Sequence, residues 1–165
     1  MKASQPCPKG FHTVTPSLTV RNAAQAIDFY KKALGAEERV RMTGPDGKIA
    51  HAEILIGDSV VFLADENPAF GNKSPETLGG ASSALYLYVP DVDKSFQRAV
   101  DAGGKSNMPV MDMFWGDRLG HFVDPFGHGW TLATHTQDLT EAEMKEGEKK
   151  FYAQMAQQQA QRKSA

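Results

Sequence analysis

The residues best suited to chemistry lie close together near the end of the chain, in the stretch GHFVDPFGHGWTLATH at 120–135. It contains three histidines, His121, His128 and His135, and one carboxylate, Asp124. Imidazole and carboxylate groups are the usual nitrogen and oxygen ligands of divalent metals, so a metal site is one interpretation. DPFG between two apolar segments is also a turn sequence, and it favours a β-hairpin. The face on which each side chain lies decides between the two interpretations.

A regular hairpin centred on Pro125-Phe126 separates the histidines. The residue pairs that it predicts are Val123–His128, Gly120–Thr131 and Arg118–Ala133. Because directly paired residues share a face, Arg118 is expected on the face of Thr131, and His121 and His128 on the opposite face. His135 shares the face of Thr131 but lies at the far end of its strand. We therefore predict packing and hairpin roles for the histidines rather than a shared metal.

Two other residues of this stretch have simple structural interpretations. Asp124 fits a turn residue whose side chain accepts hydrogen bonds from nearby backbone N–H groups. Trp130 fits a core residue.

The elements that must position these residues form an internal repeat. The helical segments AAQAIDFYKKALGA and VDKSFQRAVDAGGK lie about 70 residues apart, and each follows one predicted strand and precedes three. The predicted order is therefore β-α-β-β-β twice, over residues 11–66 and 81–136. A linker at 67–80 joins the two modules, and a polar helical tail at 137–165 follows them, with Thr140 and Glu143 as a capping box.

Composition narrows the classes of function. The chain has 165 residues and a formal net charge of −2, so neither nucleic acid nor an anionic membrane is an expected partner. No apolar run approaches the roughly 20 residues needed to span a bilayer, and residues 1–10 lack the apolar core of a secretory signal. Cys7 is the only cysteine, which excludes an internal disulfide and a multi-cysteine zinc site. We expect a cytoplasmic protein.

The doubled unit, with AIDFYKKALGA after the first strand and DPFGHGW near the last, resembles the vicinal oxygen chelate superfamily of glyoxalase I, extradiol dioxygenases and bleomycin-resistance proteins. The phrases HAEILIGDSVVFLADE and WGDRLGHFVDPFGHGWTLATH resemble its PhnB-like branch. The resemblance covers about residues 11–138. It implies an α+β fold, in which two βαβββ modules form curved mixed sheets around a cavity and a C-terminal helix follows.

The resemblance also locates the metal ligands of metal-dependent members, one on the first and one on the fourth strand of each module. The matching residues here are Thr15, Phe62, Ala84 and Thr131. Phe62 and Ala84 have no lone pair to offer, so the usual metal site is not expected and glyoxalase-I-type chemistry is disfavoured. No cofactor is predicted, and a divalent metal on relocated ligands is the alternative.

Strand parity predicts which residues face the cavity. A two-residue turn at Gly57-Asp58 pairs Glu53 with Phe62 and His51 with Ala64, which places His51 and Glu53 beside Phe62. The ligand-binding residues predicted in this way are His51, Glu53, Phe62, Tyr86, Tyr88, Phe114, Trp115 and Arg118. The aromatic residues are equally consistent with core or dimer packing, and His51 with Glu53 equally form a self-satisfied structural pair. We interpret Asp117, beside Arg118, as a surface ion-pairing residue.

Three functions fit these residues. The first is a protein that binds a small apolar or planar molecule in the cavity of a homodimer, as the resemblance to bleomycin-resistance proteins implies. The second is a lyase, isomerase or oxygenase-like enzyme of the same superfamily that uses His51 and Glu53 as a metal-free acid–base pair. The third is a metalloenzyme with ligands drawn from His51, Glu53 and the hairpin histidines. The missing ligands favour the first.

Overall fold

The computed structural model describes residues 5–163, with side chains described except at 158–160, 162 and 163. The strands are β1 Ser17–Val20, β2 Glu37–Thr43, β3 Ile49–Ile56, β4 Ser59–Asp65, β5 Ala84–Tyr88, β6 Lys105–Asp112, β7 Asp117–Val123 and β8 Gly129–His135. The α-helices are α1 Ala23–Leu34, α2 Pro75–Leu78, α3 Val92–Asp101 and α4 Glu141–Lys163. Of the expected helical tail at 137–165, residues 164 and 165 lie outside the described residues.

The strands form two four-stranded sheets with the same topology, β1-β4-β3-β2 and β5-β8-β7-β6. In each sheet the first strand pairs in parallel with the fourth, and the other pairs are antiparallel. A helix, α1 or α3, connects the first strand of each sheet to the second. The predicted repeat of one β-α-β-β-β unit and the α+β fold class are confirmed.

Each helix forms where the sequence supplies a cap and an apolar stripe. The side chain of Asn22 accepts a hydrogen bond from the Gln25 N–H at the start of α1, and Gly35 ends this helix at a φ of 68°. Ile27 and Tyr30, one helical turn apart, are fully buried against the sheet. Helices α1 and α3 contact each other, so the two modules share one hydrophobic core. We call the sheet face turned away from these helices the open face.

Asp124 ties the two modules together. Its Oδ2 accepts hydrogen bonds from the Tyr30 hydroxyl of α1 at 2.7 Å and from the Trp130 indole of β8 at 2.9 Å. Its Oδ1 accepts two more from the backbone N–H groups of Phe126 and His128. The prediction of Asp124 as a turn residue is confirmed, and so is the burial of Trp130, which is 1% exposed. The contact with Tyr30 adds an inter-module role that the sequence does not reveal.

Two segments differ from the predicted elements, and the C-terminal helix begins as predicted. Strand β1 begins only at Ser17, and the chain before it reaches the open face of the first sheet, where Phe11 contacts Phe62. The linker contains α2, where Glu66 accepts hydrogen bonds from Ser74 and Thr77. These bonds lower the pKa of Glu66 to about 2. Helix α4 begins with the expected capping box of Thr140 and Glu143.

Within residues 5–163, no helix combines the length and apolar character needed to cross a membrane.

Candidate functional site

The open face of the first sheet holds the predicted group of His51, Glu53 and Phe62. Strands β3 and β4 pair Glu53 with Phe62, as the two-residue turn requires. His51 Nε2 lies 3.5 Å from Glu53 Oε1, and the His51 ring meets the edge of Phe62 with centroids 4.9 Å apart. The predicted proximity of these three side chains is confirmed. A 3.5 Å contact is at the limit of a hydrogen bond, so their use as an acid–base pair stays a prediction.

The chain's own N-terminal segment covers part of this face. The ring centroid of Phe11 lies 5.9 Å from that of Phe62. A cavity of about 540 Å³ remains here, lined by Glu53 and Phe62 on the sheet and by Cys7, Phe11 and their neighbours on the segment. The N-terminal segment of the same chain therefore partly fills the open face of the first sheet.

The register of β7 and β8 is shifted by one residue from the predicted hairpin. Val123 pairs with Gly129 instead of His128, because the turn contains five residues rather than four. The Asp124 side chain holds this longer turn by bonding to the backbone of Phe126 and His128. A one-residue shift moves every side chain of β7 to the opposite face. Two predicted positions are consequently wrong.

Arg118 is the first of these corrections. It pairs with Thr134 in the register and faces α3, where its guanidinium forms two hydrogen bonds of 2.8 Å with the Asp93 carboxylate. A third bond, of 3.0 Å, joins it to Asp112. These three hydrogen bonds form two ion pairs, with Asp93 and Asp112, on the helix side of the sheet. The prediction that Arg118 lies in the cavity with Phe62 and Tyr86 is therefore wrong.

His121 is the second correction, since it lies on the open face and pairs with Thr131. His121 Nδ1 lies 3.0 Å from the Thr131 hydroxyl, and burial lowers the pKa of the imidazole. His128 has a different role, with its Nε2 lying 3.0 Å from the backbone carbonyl of Thr19. The structure thus separates the histidines, as predicted, but by another register.

The open face of the second sheet is built around a buried carboxylate. Asp117, the first residue of β7, is only 3% exposed. Its Oδ2 accepts hydrogen bonds from the Tyr86 hydroxyl at 2.9 Å, the Tyr88 hydroxyl at 3.0 Å and the Trp115 indole at 3.1 Å. Its Oδ1 lies 2.8 Å from His135 Nδ1. We call these five residues the Asp117 cluster.

The cluster fixes the polar ends of its aromatic residues and leaves the rings of its two tyrosines exposed. Tyr86 and Tyr88 are 48% and 61% exposed although both hydroxyls are bonded. Their ring centroids lie 5.1 Å apart at an interplanar angle of 52°. We call these two rings the tyrosine platform. Such a pair presents an apolar aromatic surface of defined shape to a ligand or partner.

The charges of the cluster are coupled. Burial raises the pKa of the Asp117 carboxyl, but the hydrogen bonds from His135, the two tyrosines and Trp115 outweigh it and hold the pKa below its usual value. Burial and the bond to Asp117 raise the pKa of Tyr86, and the same bond raises that of Tyr88. Bonds to Asp117 and Asp138 raise the pKa of His135. The phenols therefore stay neutral donors to an ionised carboxylate.

Sequence reasoning missed Asp117 and His135 but identified the other three partners of Asp117. Tyr86, Tyr88 and Trp115 were predicted ligand-binding residues, whereas Asp117 was interpreted as a surface ion pair of Arg118. That interpretation is wrong, because adjacent residues of a strand point to opposite faces. Phe114, the remaining predicted residue, packs beside Trp115 and against Phe151 of α4. It anchors the C-terminal helix rather than joining the cluster.

The predicted site residues thus fall into separate groups. His51, Glu53 and Phe62 lie on the first sheet, while Tyr86 and Tyr88 lie on the second. Within residues 5–163, no ring contact or hydrogen bond joins one group to the other.

The four positions that the resemblance matches to metal ligands do not fit a metal here. Thr131 is bonded to His121, and the Thr15 hydroxyl donates to the His12 carbonyl. Phe62 and Ala84 offer no ligand atom. Among the residues that the structure describes, no group of three or more His, Cys, Asp and Glu side chains is arranged to hold an ion.

Comparison with known proteins agrees with this fold. The family model of the Glyoxalase/Bleomycin resistance protein/Dioxygenase superfamily matches residues 10–132. The uncharacterized protein Mb0911c of Mycobacterium bovis is 46% identical over 129 residues, which are 76% of this chain and 85% of that protein. The crystal structure of TioX from Micromonospora sp. ML1 superposes with a TM-score of 0.60 at 25% identity, over 75% of this chain and 98% of TioX. The PhnB protein from Bacillus cereus has a TM-score of 0.56 at 18% identity, over 74% and 99%.

Proposed function

Because the chain belongs to the glyoxalase/bleomycin resistance protein/dioxygenase superfamily, we propose that it is a binding protein of the PhnB-like type, which holds a small planar or apolar molecule against the tyrosine platform. The second open face supports this proposal, since Tyr86 and Tyr88 leave large ring surfaces in solvent while their hydroxyls are occupied. An aromatic pair of this kind binds flat molecules by stacking.

The surroundings of the platform favour binding over chemistry. Met108 and Met111 lie on the same open face and supply an adaptable apolar surface. The ionisable groups nearest the rings, Asp117 and His135, are bonded to each other at 2.8 Å. None of these groups is a free nucleophile or base aimed at the platform. Phe62 and Ala84, at two of the four positions matched to metal ligands, offer no atom that could bind an ion.

The binding proposal is tested with acridone, a planar uncharged fluorescent molecule of three fused rings. We expect its fluorescence to change saturably on titration with the purified protein, at one molecule per chain and with a Kd in the micromolar range, about −8 kcal/mol. We expect the tryptophan fluorescence, to which Trp115 of the Asp117 cluster contributes, to be quenched along the same isotherm. A linear response with no saturation up to the solubility limit would contradict the proposal.

We further propose that a second copy of the chain completes the site. The open faces bear exposed apolar side chains on both sheets, among them Tyr86, Tyr88 and Met111 on the second and Met42 on the first. A monomer would leave these residues in water, and contiguous exposed apolar surfaces usually mark an interface. The expected assembly is a two-fold homodimer.

Light scattering at micromolar concentration checks the assembly. We expect a mass of about 36 kDa, twice the 18.0 kDa of one chain. Replacement of Met111 by Asp introduces a charge at the proposed interface and is expected to shift the mass towards that of one chain. Thr43→Asp, on an exposed strand end of the first sheet, is the surface control. A mass of 18.0 kDa for the unaltered protein would rule out the dimer.

A further inference from the structure

We propose that Asp117 is the positioning residue of the tyrosine platform, and that the ligand contacts the ring faces of Tyr86 and Tyr88 rather than their hydroxyls. This inference rests on the proposed binding function and specifies how the same site recognises its ligand. It concerns the Asp117 carboxylate, which lies beneath the platform and is only 3% exposed.

The first support is the burial of Asp117, which is 3% exposed, beneath its four hydrogen-bond partners. Three of them bond to Oδ2 and one, His135 Nδ1, lies at Oδ1. This burial keeps a ligand atom from reaching the carboxylate. The two phenol O–H groups are committed as donors to this carboxylate, so they cannot donate to a ligand without breaking a charge-assisted bond.

A second buried aspartate of the same chain shows what is special about Asp117. Asp124 also accepts from a tyrosine hydroxyl and a tryptophan indole through one oxygen, at 2.7 and 2.9 Å. Its partners, Tyr30 and Trp130, are buried completely or almost completely. At Asp124 these hydrogen bonds therefore join side chains of the hydrophobic core. At Asp117 the corresponding bonds hold two tyrosines that are about half exposed, so they fix the position of rings at the protein surface.

Fixing the rings matters for binding because a free tyrosine side chain loses rotamer entropy when a ligand orders it. The Asp117 bonds order both rings before the ligand arrives, which is preorganisation. His135 completes the arrangement, with Nδ1 on Asp117 and Nε2 lying 3.0 Å from Asp138. The cluster is therefore anchored on its solvent side as well.

Asp117→Asn tests this role, with Asp124→Asn as the matched control. Both variants make the same chemical change in a buried carboxylate that accepts from tyrosine and tryptophan. We expect Asp117→Asn to weaken acridone binding by roughly tenfold, because both tyrosine rings must then be ordered during binding. Asp124 lies on the helix side, away from the tyrosine platform. We therefore expect the acridone Kd of folded Asp124→Asn to stay within about twofold of that of the unaltered protein. Circular dichroism verifies that each variant is folded.

A readout without ligand separates positioning from general stability. In protein labelled with ¹³C at tyrosine Cζ, we expect Asp117→Asn to lower the titration midpoints of Tyr86 and Tyr88 towards the ordinary tyrosine value of about 10. Asp124→Asn leaves these two midpoints unchanged. Should Asp117→Asn not fold, Tyr86→Phe/Tyr88→Phe removes the same bonds while keeping both rings, and it too is expected to weaken acridone binding by roughly tenfold.

The outcomes distinguish this inference from the function on which it rests. If the unaltered protein binds acridone and the Asp117 variant binds it equally well, the positioning role is wrong and the binding function stands. If the unaltered protein does not bind acridone, the proposed function fails and the inference fails with it. Tenfold weaker binding by Asp117→Asn, with unchanged binding by Asp124→Asn, supports both.

Discussion

Asp124→Ala is expected to lower the free energy of unfolding by about 3–5 kcal/mol, a large part of the stability of a domain of this size. The substitution removes the acceptor of the Tyr30 hydroxyl, the Trp130 indole and two backbone N–H groups. The side chains of Tyr30 and Trp130 lie buried in the core between the two modules. Each buried donor left without a partner costs about 1–3 kcal/mol.

Urea denaturation followed by the tryptophan fluorescence of Trp115 and Trp130 measures this change. Asp112→Ala is the control, because Asp112 is an exposed carboxylate whose bond to Arg118 lies at the surface. Exposed ion pairs contribute about 0–1 kcal/mol, so the control is expected to unfold close to the unaltered protein. A loss of less than about 1.5 kcal/mol for Asp124→Ala would show that the inter-module contact is not a main source of stability.

The fold was predictable because its signals are local and repeated. Each module carries one helix with a polar cap and a glycine or turn at its end, and strands whose alternation distinguishes buried from open faces. The register of β3 and β4 followed from the Gly57-Asp58 turn, since two-residue hairpin turns fix the pairing of their strands. Asn22, Thr140 and Asp124 likewise act through bonds to backbone groups a few residues away.

The register of β7 and β8 was not predictable from the same reasoning. DPFG is compatible with turns of four or five residues, and the choice depends on how the Asp124 side chain bonds within the turn and to Tyr30 in the other module. The second contact is non-local, so the sequence around the turn does not contain it. A one-residue difference there placed Arg118 and His121 on the wrong faces.

Asp117 shows a further limit of sequence reasoning. A carboxylate next to an arginine suggests an ion pair, yet alternation along β7 sends the two side chains to opposite faces. The correct register would have placed Asp117 on the face of Tyr86 and Tyr88, with His135 as its direct partner. The separation of the first-sheet group from the tyrosine platform depends on how the modules pack, which no strand pattern specifies.

Tyr86→Ala/Tyr88→Ala is expected to weaken acridone binding at least about 30-fold, equivalent to about 2 kcal/mol. Removing one aromatic stacking partner costs about 1–3 kcal/mol, and this variant removes both rings of the platform. Asp117 keeps Trp115 and His135 as donors in the variant, so the buried carboxylate is not left without partners. The loss is therefore expected in binding more than in folding.

The control for this variant is Tyr152→Ala. Tyr152 lies on α4 and is 61% exposed, the same fraction as Tyr88, so the two positions differ in location rather than in exposure. If acridone adhered to any exposed tyrosine, both Tyr152→Ala and Tyr86→Ala/Tyr88→Ala would bind it more weakly. If the platform holds acridone, only Tyr86→Ala/Tyr88→Ala binds it more weakly.

The acridone Kd of Tyr86→Ala/Tyr88→Ala, measured by fluorescence titration beside Tyr152→Ala and the unaltered protein, tests the binding function most directly. We expect at least about 30-fold weaker binding for the double variant and a Kd within about twofold of the unaltered protein for Tyr152→Ala. Equal affinities in all three proteins would contradict a ligand site on the open face of the second sheet.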